Sequence, residues 1–521
     1  MRRMVALVHS VLARLVAAGL LASPMVASAL QPAQQIGWRL ELSGPAERAE
    51  LTLITDVPAA DQGQPALQFL AAELQGAWYC YGGQPLGWAP CSTPLPAHSQ
   101  GALPAQARLA LGTHDTLALR GAQLHAGYGT SADEMLAAGR HRRVAALGPA
   151  RSVDWSDAQT VPGSTNVVLA FNNTALALRD ATGVLHLVWA DGGQGWHGRH
   201  DGQAWSVAAL PKAGGGSIDK PTLALLADGE LLLAWSEQAG STRQLLVARS
   251  RDGRSRWDLP LTLASGNLGS AVALESLQGG SGVAGAVVAW IDEGAGRVLS
   301  RQWSGSGWSL GDWSPALSPA AAAGVPHDIG LASFGQTVWA TWEDKRSGAG
   351  DSEIYLARST DSGLSWQVDR RLPLTAGSPA GGDPSLQLLP DGRLLLAYQH
   401  QNKVWFTLSA DGGTSFAPAV SLGPGLFAHV AANQRGSVAF TWEHFSSGGA
   451  QNDSGKTVGS TLSLDALARV EGPHAMPGSE AVTYAVQAAA AVAHDRIDVF
   501  WVDAAPGGAR VIRWRSGRLV D

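Results

Sequence analysis

Carboxylate and imidazole side chains recur at two sets of positions in the C-terminal two thirds of the chain. One set directly follows strands that end in an aromatic residue, and the other stands near the start of the strand before each of them. Antiparallel neighbours bring these two positions to the same sheet edge, so side chains from successive sheets would converge. The first set contains Glu237, Glu343, Asp344, His400, Glu443, His444 and Asp503, and the second contains Asp219, Lys220, His327, Asp328, Asp383 and His429.

Two interpretations of this pattern stay open. In one, these are ordinary turn residues, because turns are polar and acids hydrogen-bond to free backbone N–H groups. In the other, they line a single acidic, histidine-containing mouth. Such a mouth suits a binding or catalytic pocket.

Three chemistries fit such a mouth. Glycoside hydrolysis needs a general acid and a nucleophile or base. Divalent metal binding would draw on imidazole and carboxylate ligands, although no local ligand spacing supports it, and the prediction is no metal and no cofactor; its candidate ligands are His327, Asp328, His400, His429 and His444. Binding of a sugar without turnover would use carboxylates for hydroxyl groups and aromatic rings for apolar faces, and it is the preferred interpretation.

The strands that would position these residues recur as a repeat. Seven segments rich in Val, Leu and Ala end in an aromatic residue, and the intervals between these anchors range from 44 to 59 residues. A strand pattern repeating at this interval predicts an all-β, seven-bladed β-propeller, with six blades as the alternative. The anchors are Trp189, Trp235, Trp290, Trp342, Tyr398, Trp442 and Trp501.

A second repeated pattern, Ser-x-Asp-x-Gly-x-Ser-Trp, occupies residues 359–366. Its carboxylate can accept backbone N–H groups, and its glycine tolerates positive φ. It predicts a structural turn through Asp361, Gly363 and Trp366; a second copy has Asp411 and Gly413, and a looser third copy has Asp252. The pattern resembles the Asp-box, or BNR, repeat of sialidase-like β-propellers.

That resemblance implies a glycan-binding face on the side of the propeller away from these turns. Sialidases use a Tyr nucleophile and clamp the substrate carboxylate with three arginines. Tyr484 is the one plausible nucleophile here, Arg346 the one well-placed arginine, and Asp328 completes the catalytic candidates. Because the arginine triad is missing, we expect recognition of a glycan or surface ligand without sialidase turnover, with a divergent exo-glycosidase as the alternative.

The N-terminal part of the chain has a different organisation. Arg2, Arg3, an apolar run and Ala27-Ser28-Ala29 predict an export signal over residues 1–29, so we expect a periplasmic or extracellular protein. The segment Gly121-Ala122-Gln123-Leu124-His125-Ala126-Gly127-Tyr128-Gly129 is followed by Met135-Leu136 and Arg140. This ending resembles that of a β-sandwich-like accessory module of secreted proteobacterial proteins, and we expect residues 30–148 to form such a module. Residues 149–165 are a linker in which 153–161 supply a closing strand for the last blade, and residues 166–521 form the propeller.

Charge and cysteine content narrow the possible partners. Removing the signal changes the formal charge from −6 to −9, which disfavours nucleic acid and anionic membranes. No second apolar run is long enough to span a membrane. The two cysteines, Cys80 and Cys91, are expected to form a disulfide in an oxidising compartment, with a two-thiol metal site as the alternative.

Overall fold

A computed structural model describes residues 37–43, 48–83, 86–116, 118–148, 150, 152–168, 176–250, 256–277, 285–305, 307–308, 326–346, 352–374, 381–445, 456–465, 467, 470–477, 479, 485–504 and 509–520. The all-β class is confirmed, because these residues form strands and a single short helix. None of the described helical residues belongs to a segment with the length and hydropathy that a membrane crossing requires.

The N-terminal module consists of two antiparallel sheets, with strand orders β1-β2-β7 and β5-β4-β3-β8-β9, and β6 also pairs with β3. Its elements are β1 (Gly37–Ser43), β2 (Ala49–Asp56), β3 (Pro65–Leu74), β4 (Ala77–Tyr81), β5 (Trp88–Pro90), β6 (Ser99–Ala102), β7 (Gln106–His114), β8 (Gln123–Gly129), helix α1 (Ala132–Ala137) and β9 (His141–Ala146). Apolar residues of both sheets form one core.

A disulfide and a buried hydrogen bond stabilise this module. The predicted pairing of Cys80 with Cys91 is confirmed, which excludes the two-thiol metal site. The buried hydroxyl of Tyr128 donates to Asp61 Oδ2 at 2.6 Å. Because buried polar groups require partners, this bond explains a tyrosine on an otherwise apolar strand face.

Seven antiparallel sheets follow one another within the described residues of the C-terminal region. Their strands are β12 (Val167–Val168), β13 (Ala177–Arg179), β14 (Leu185–Asp191), β15 (Gln194–His200) and β16 (Trp205–Ala209); β17 (Ser217–Leu225), β18 (Leu231–Ala239), β19 (Thr242–Ser250) and β20 (Leu261–Gly266); β21 (Leu268–Ser276), β22 (Ala286–Asp292) and β23 (Arg297–Trp303); β24 (His327–Phe334), β25 (Thr337–Asp344), β26 (Glu353–Ser359) and β27 (Arg370–Arg371); β28 (Gly382–Leu388), β29 (Leu394–His400), β30 (Lys403–Ser409) and β31 (Val420–Pro424); β32 (Leu426–Ala432), β33 (Val438–Phe445), β34 (Lys456–Ser463) and β35 (Glu471–Ala475); and β36 (Ala485–Val492), β37 (Arg496–Ala504) and β38 (Arg510–Val520).

The first strands of these sheets contact one another in sequence, from β17 through β21, β24, β28 and β32 to β36, and β13 contacts both β36 and β17. They therefore form the closed inner ring of the molecule. The seven aromatic anchors all lie on the second strands and are at most 1% exposed. Burying each large ring between sheets contributes about 2–3 kcal/mol, so these residues carry much of the stability of the ring.

The last sheet incorporates strands from the opposite end of this region. The stretch for which the sequence predicts a closing strand contains β10 (Ser152–Trp155) and β11 (Gln159–Thr160), and both pair with β38. A sheet closed in this way leaves no free edge on β38.

The turn over residues 359–366 is held by its own side chains. Asp361 Oδ1 accepts from the Ser359 hydroxyl and from Ser365 N, each at 2.8 Å. The ring of Trp366 lies against its own turn, with Cζ2 3.7 Å from the Cβ position of Gly363, and its Nε1 donates to Ser300 Oγ of the preceding sheet at 2.9 Å. The turn therefore also links two neighbouring sheets.

The copy at Asp411 repeats these bonds. A further copy was missed in the sequence because leucine replaces glycine. There Asp465 accepts from Ser463 Oγ at 3.0 Å, and Leu467 takes the left-handed position with φ +70°. The copy predicted at Asp252 lies outside the described residues.

Candidate functional site

A β-bulge interrupts the inner strand of at least five sheets, close to its first residues. In four of them, two inner-strand residues oppose one aromatic anchor, as Lys220 and Pro221 oppose Trp235. In β24 the extra residue is Asp328. A bulge re-aims a side chain away from the regular alternation of the strand. The re-aimed residues have φ between +43° and +55°, and they are Lys220, Asp328, Asp383, Phe427 and Gln487.

Carboxyl groups from two neighbouring sheets meet at this end of the ring. The ligand atoms of Asp328, Glu343 and Asp383 all lie within 4.8 Å of one another. The charge of Lys220 also acts on Asp383. Lys220 and Asp383 belong to non-adjacent sheets of the ring, and both lie near the first residue of an inner strand, at the same end of the ring. We call Lys220, Asp328, Glu343 and Asp383 the mouth.

Asp383 has a raised pKa in this cluster. Burial raises the pKa of its carboxyl well above the usual range, and the neighbouring Asp328 and Glu343 raise it further, while Lys220 opposes the rise. Asp383 is 4% exposed. A carboxyl group with a raised pKa beside other carboxyl groups is an arrangement that acid–base catalysts use. Three carboxyl groups at this spacing also offer oxygen ligands of the type that hard divalent cations take.

The residue after the anchor holds the bulge of the next sheet. Glu343 Oε2 accepts from Asp383 N at 3.1 Å, and Gln399 Oε1 accepts from Phe427 N at 3.1 Å. Glu443 Oε1 accepts from Gln487 N at 3.0 Å. These inter-sheet bonds fix the backbone of the bulges, so Glu343 and Glu443 have structural partners in addition to any ligand.

Other acids expected at the mouth are engaged elsewhere. Glu237 is buried and accepts from the N–H groups of residues 213, 214 and 216. Asp344 is also buried and pairs with Arg346 at 3.2 Å. Arg346 bonds to Asp369 as well, and its guanidinium lies 3.7 Å from the Tyr355 ring centroid.

Two further acids are paired with arginines. Asp219 accepts from Arg243 Nη1 at 3.2 Å, and Asp503 lies 3.9 Å from Arg513 Nε. Burial raises the pKa of Asp503 despite that arginine. Tyr484, the nucleophile expected from the sequence, lies outside the described residues.

The four histidines do not form a common ligand set. His327 is exposed beside Asp328, and His400 is half-buried with its carbonyl accepting from Trp405 Nε1. His444 Nδ1 donates to the Pro424 carbonyl at 3.1 Å. His429 was expected at the mouth, but its chain position is past the bulge, and it is buried along the axial channel.

The opposite end of the ring is covered by the N-terminal module. Gln106 Nε2 donates to Ala227 O, Arg435 Nε donates to Gly148 O, and Ala146 N donates to His494 Nε2. Between module and ring lies a cavity of about 930 Å³. Its wall includes Glu275, whose pKa burial raises to about 8, and His429, whose pKa burial lowers to about 4.

No protein-family profile and no curated protein sequence matches this chain. Among solved structures, an alpha-L-arabinanase of Penicillium chrysogenum has a TM-score of 0.41 at 13% identity, covering 59% of this chain and 99% of its own. An alpha-L-arabinofuranosidase of Fusarium graminearum has 0.42 at 14%, covering 58% and 98%. A polysaccharide lyase PL25, an ulvan lyase, has 0.44 at 10%, covering 68% and 95%. Likeness at this level does not bear on function.

Proposed function

We propose that this chain is an exported, seven-bladed, sialidase-like propeller that recognises a glycan at the mouth. The observation that carries the proposal is the convergence of Asp328, Glu343 and Asp383 from two sheets, with the charge of Lys220 from a third sheet acting on Asp383. Carboxyl and ammonium groups hydrogen-bond to sugar hydroxyls as acceptors and donors. Titratable groups with strongly shifted pKa values gather at functional sites more often than elsewhere.

The remaining parts of the proposal come from the sequence. Residues 1–29 would direct export, residues 30–148 would form the accessory module, and the Asp-box resemblance would explain the repeated turns. N-terminal sequencing of the exported protein tests the first part. A mature chain that begins at residue 30 is the expected result, and a retained Met1 would contradict it.

Glycoside hydrolysis is the second candidate, and the raised pKa of Asp383 favours it. Asp383 would donate its proton to the leaving oxygen, with Asp328 or Glu343 as the second carboxyl group. Their oxygens lie within 4.8 Å, which is closer than the roughly 6.5–9.5 Å of inverting enzymes and nearer the spacing of retaining ones. Tyr484 stays a candidate nucleophile on sequence grounds.

Sialic acid is a poor substrate for this mouth. Among the described residues, the charged groups that set the pKa of Asp383 are Asp328, Glu343 and Lys220, without an arginine. A planar carboxylate is held best by the two-pronged guanidinium group. A neutral glycan therefore fits this set better than an acidic one.

The deciding experiment combines a glycan microarray with a panel of fluorogenic glycosides. We expect binding to neutral glycans that Asp383→Asn weakens at least tenfold. The matched control is Asp201→Asn, whose carboxylate caps its own exposed hairpin turn. Turnover lost in Asp383→Asn and in Tyr484→Phe would establish the hydrolase, whereas binding without turnover would establish the lectin. Wild-type protein that binds no glycan would refute both.

A further inference from the structure

Two residues outside the mouth occupy positions on the inner ring that correspond to those of its bulge residues. Phe427 and Gln487 occupy the bulge positions of β32 and β36, as Asp383 does in β28. Their φ values of +55° match the +47° of Asp383. Each residue lies opposite or beside the same aromatic anchor position, so the bulges occupy corresponding places around the inner ring. Asp383 and Gln487 are each 4% exposed there, and Phe427 is partly exposed.

We propose that the five bulge residues, Lys220, Asp328, Asp383, Phe427 and Gln487, form the ligand-facing ring of the mouth and select a sugar with one apolar face. This inference rests on the proposed glycan function and specifies its ligand class. The half-exposed ring of Phe427 offers a flat surface on which the C–H face of a pyranose stacks. The amide, carboxyl and ammonium groups take the hydroxyls.

Backbone conformation supports a role for these side chains. A non-glycine residue at positive φ costs about 1 kcal/mol, and this chain usually avoids that cost by using glycine. Among the described residues, 27 glycines have positive φ, against ten other residues, and five of those ten are the bulge residues. Glycine would be the least strained choice at each bulge, so retention of a side chain indicates a use for it.

The backbone of three bulges does not depend on its own side chain. Glu343, Gln399 and Glu443 of the preceding sheets accept the N–H groups of Asp383, Phe427 and Gln487. These bonds persist when the bulge side chain is removed. Substitution therefore tests the side chain while the backbone N–H group of the bulge keeps its bond to the preceding sheet.

The first arm of the test measures thermal unfolding of full-length Lys220→Gly and Phe427→Gly. The control is Gln401→Gly, at φ +50° in the turn between β29 and β30. We expect all three melting temperatures to stay within about 2 °C of the wild type, because relief of strain offsets the greater freedom of the unfolded chain. A loss of more than about 5 °C at the bulges, but not at Gln401, would show that their side chains are structural and overturn the inference.

The second arm uses the same microarray of neutral and acidic oligosaccharides. Phe427→Leu should lose at least fivefold in affinity for the glycans that the wild type binds, and Phe427→Tyr should retain it, because only Tyr keeps a stacking ring. If Phe427→Leu binds these glycans with the same affinity as the wild type, the proposed ring of bulge residues is refuted while the glycan function stays intact. Absence of wild-type binding would refute both.

Discussion

The carboxyl groups of Asp328 and Asp383 lie on neighbouring inner strands, with oxygen atoms within 4.8 Å of each other. Two carboxyl groups this close disfavour simultaneous ionisation, so the pKa of one of them rises. Burial, Asp328 and Glu343 all raise the pKa of Asp383. The mouth therefore contains a carboxyl group that keeps its proton to higher pH than usual, beside two other carboxyl groups, before any ligand arrives.

Asp383→Asn should stabilise the protein at alkaline pH. Because the folded-state pKa of Asp383 lies above its unfolded value, its contribution is complete below about pH 4 and is lost as the pH rises through the folded pKa. Asparagine resembles the protonated form at every pH. Melting curves recorded from pH 4 to 9 should show no gain at pH 4 and a higher melting temperature at pH 8.

Asp201→Asn provides a control with the opposite sign. Two backbone N–H groups lower the pKa of Asp201, so its contribution is present above about pH 4 and lost on acidification. We expect this variant to be destabilised at neutral pH and equal to the wild type in acid. If both variants change stability in the same direction as the pH rises, the pKa of Asp383 is not raised in the folded protein.

Gly363→Ala should destabilise the turn that links the sheet containing β23 to the sheet containing β26. Gly363 has φ +86°, and an added Cβ would lie 2.8 Å from Val287 Cγ2 of the preceding sheet. Conformational strain and this overlap together cost about 2–3 kcal/mol. Gly229→Ala has nearly the same φ, +83°, with nothing within 4 Å, so it isolates the strain at about 1 kcal/mol. Equal urea midpoints for the two variants would remove the inter-sheet contact from the explanation.

The sequence predicts the scaffold of this protein better than its site. The anchors Trp235, Trp342 and Tyr398 were predicted because burial between sheets selects large aromatic residues at a regular interval. The turn at Asp361 was predicted because its bonds are local. Each anchor strand and each turn is a segment of a few residues, so its local sequence determines its structure.

The composition of the mouth depends on the ring rather than on local sequence. Asp328 and Asp383 were identified as polar residues at strand starts, but their contact arises only when neighbouring sheets pack. Phe427 and Gln487 were missed because a bulge accepts many residue types. At two bulges, a proline directly after the bulge residue marks the position in the sequence: Lys220-Pro221 and Asp383-Pro384. Residue 427 lacks that mark, and the residue predicted on the same strand was His429.

Loss of the strands that pair with β38 should weaken the whole ring. A chain that begins at residue 150 keeps β10 and β11, whereas one that begins at residue 164 lacks both. Both lack the N-terminal module, so their comparison isolates the pairing of Val153 with Leu519 and of Thr160 with Arg513. Scanning calorimetry should give a melting temperature at least 5 °C lower for the shorter chain. Equal values would show that the last sheet is stable without these strands.

Glu275→Gln should raise stability above neutral pH without affecting the mouth. Burial raises the pKa of Glu275 to about 8, and Ser333 Oγ donates to its carboxyl at 3.2 Å. The folded state thus keeps a proton that the unfolded state releases near pH 4.5, so stability declines from there to about pH 8. Glutamine keeps the bond from Ser333 and removes the penalty, which is on the order of 5 kcal/mol at pH 9 for a pKa raised from 4.5 to about 8. Urea unfolding at pH 6 and 9 should show a gain at pH 9 for Glu275→Gln and none for the exposed control Glu293→Gln; a wild type equally stable at both pH values would contradict a protonated Glu275.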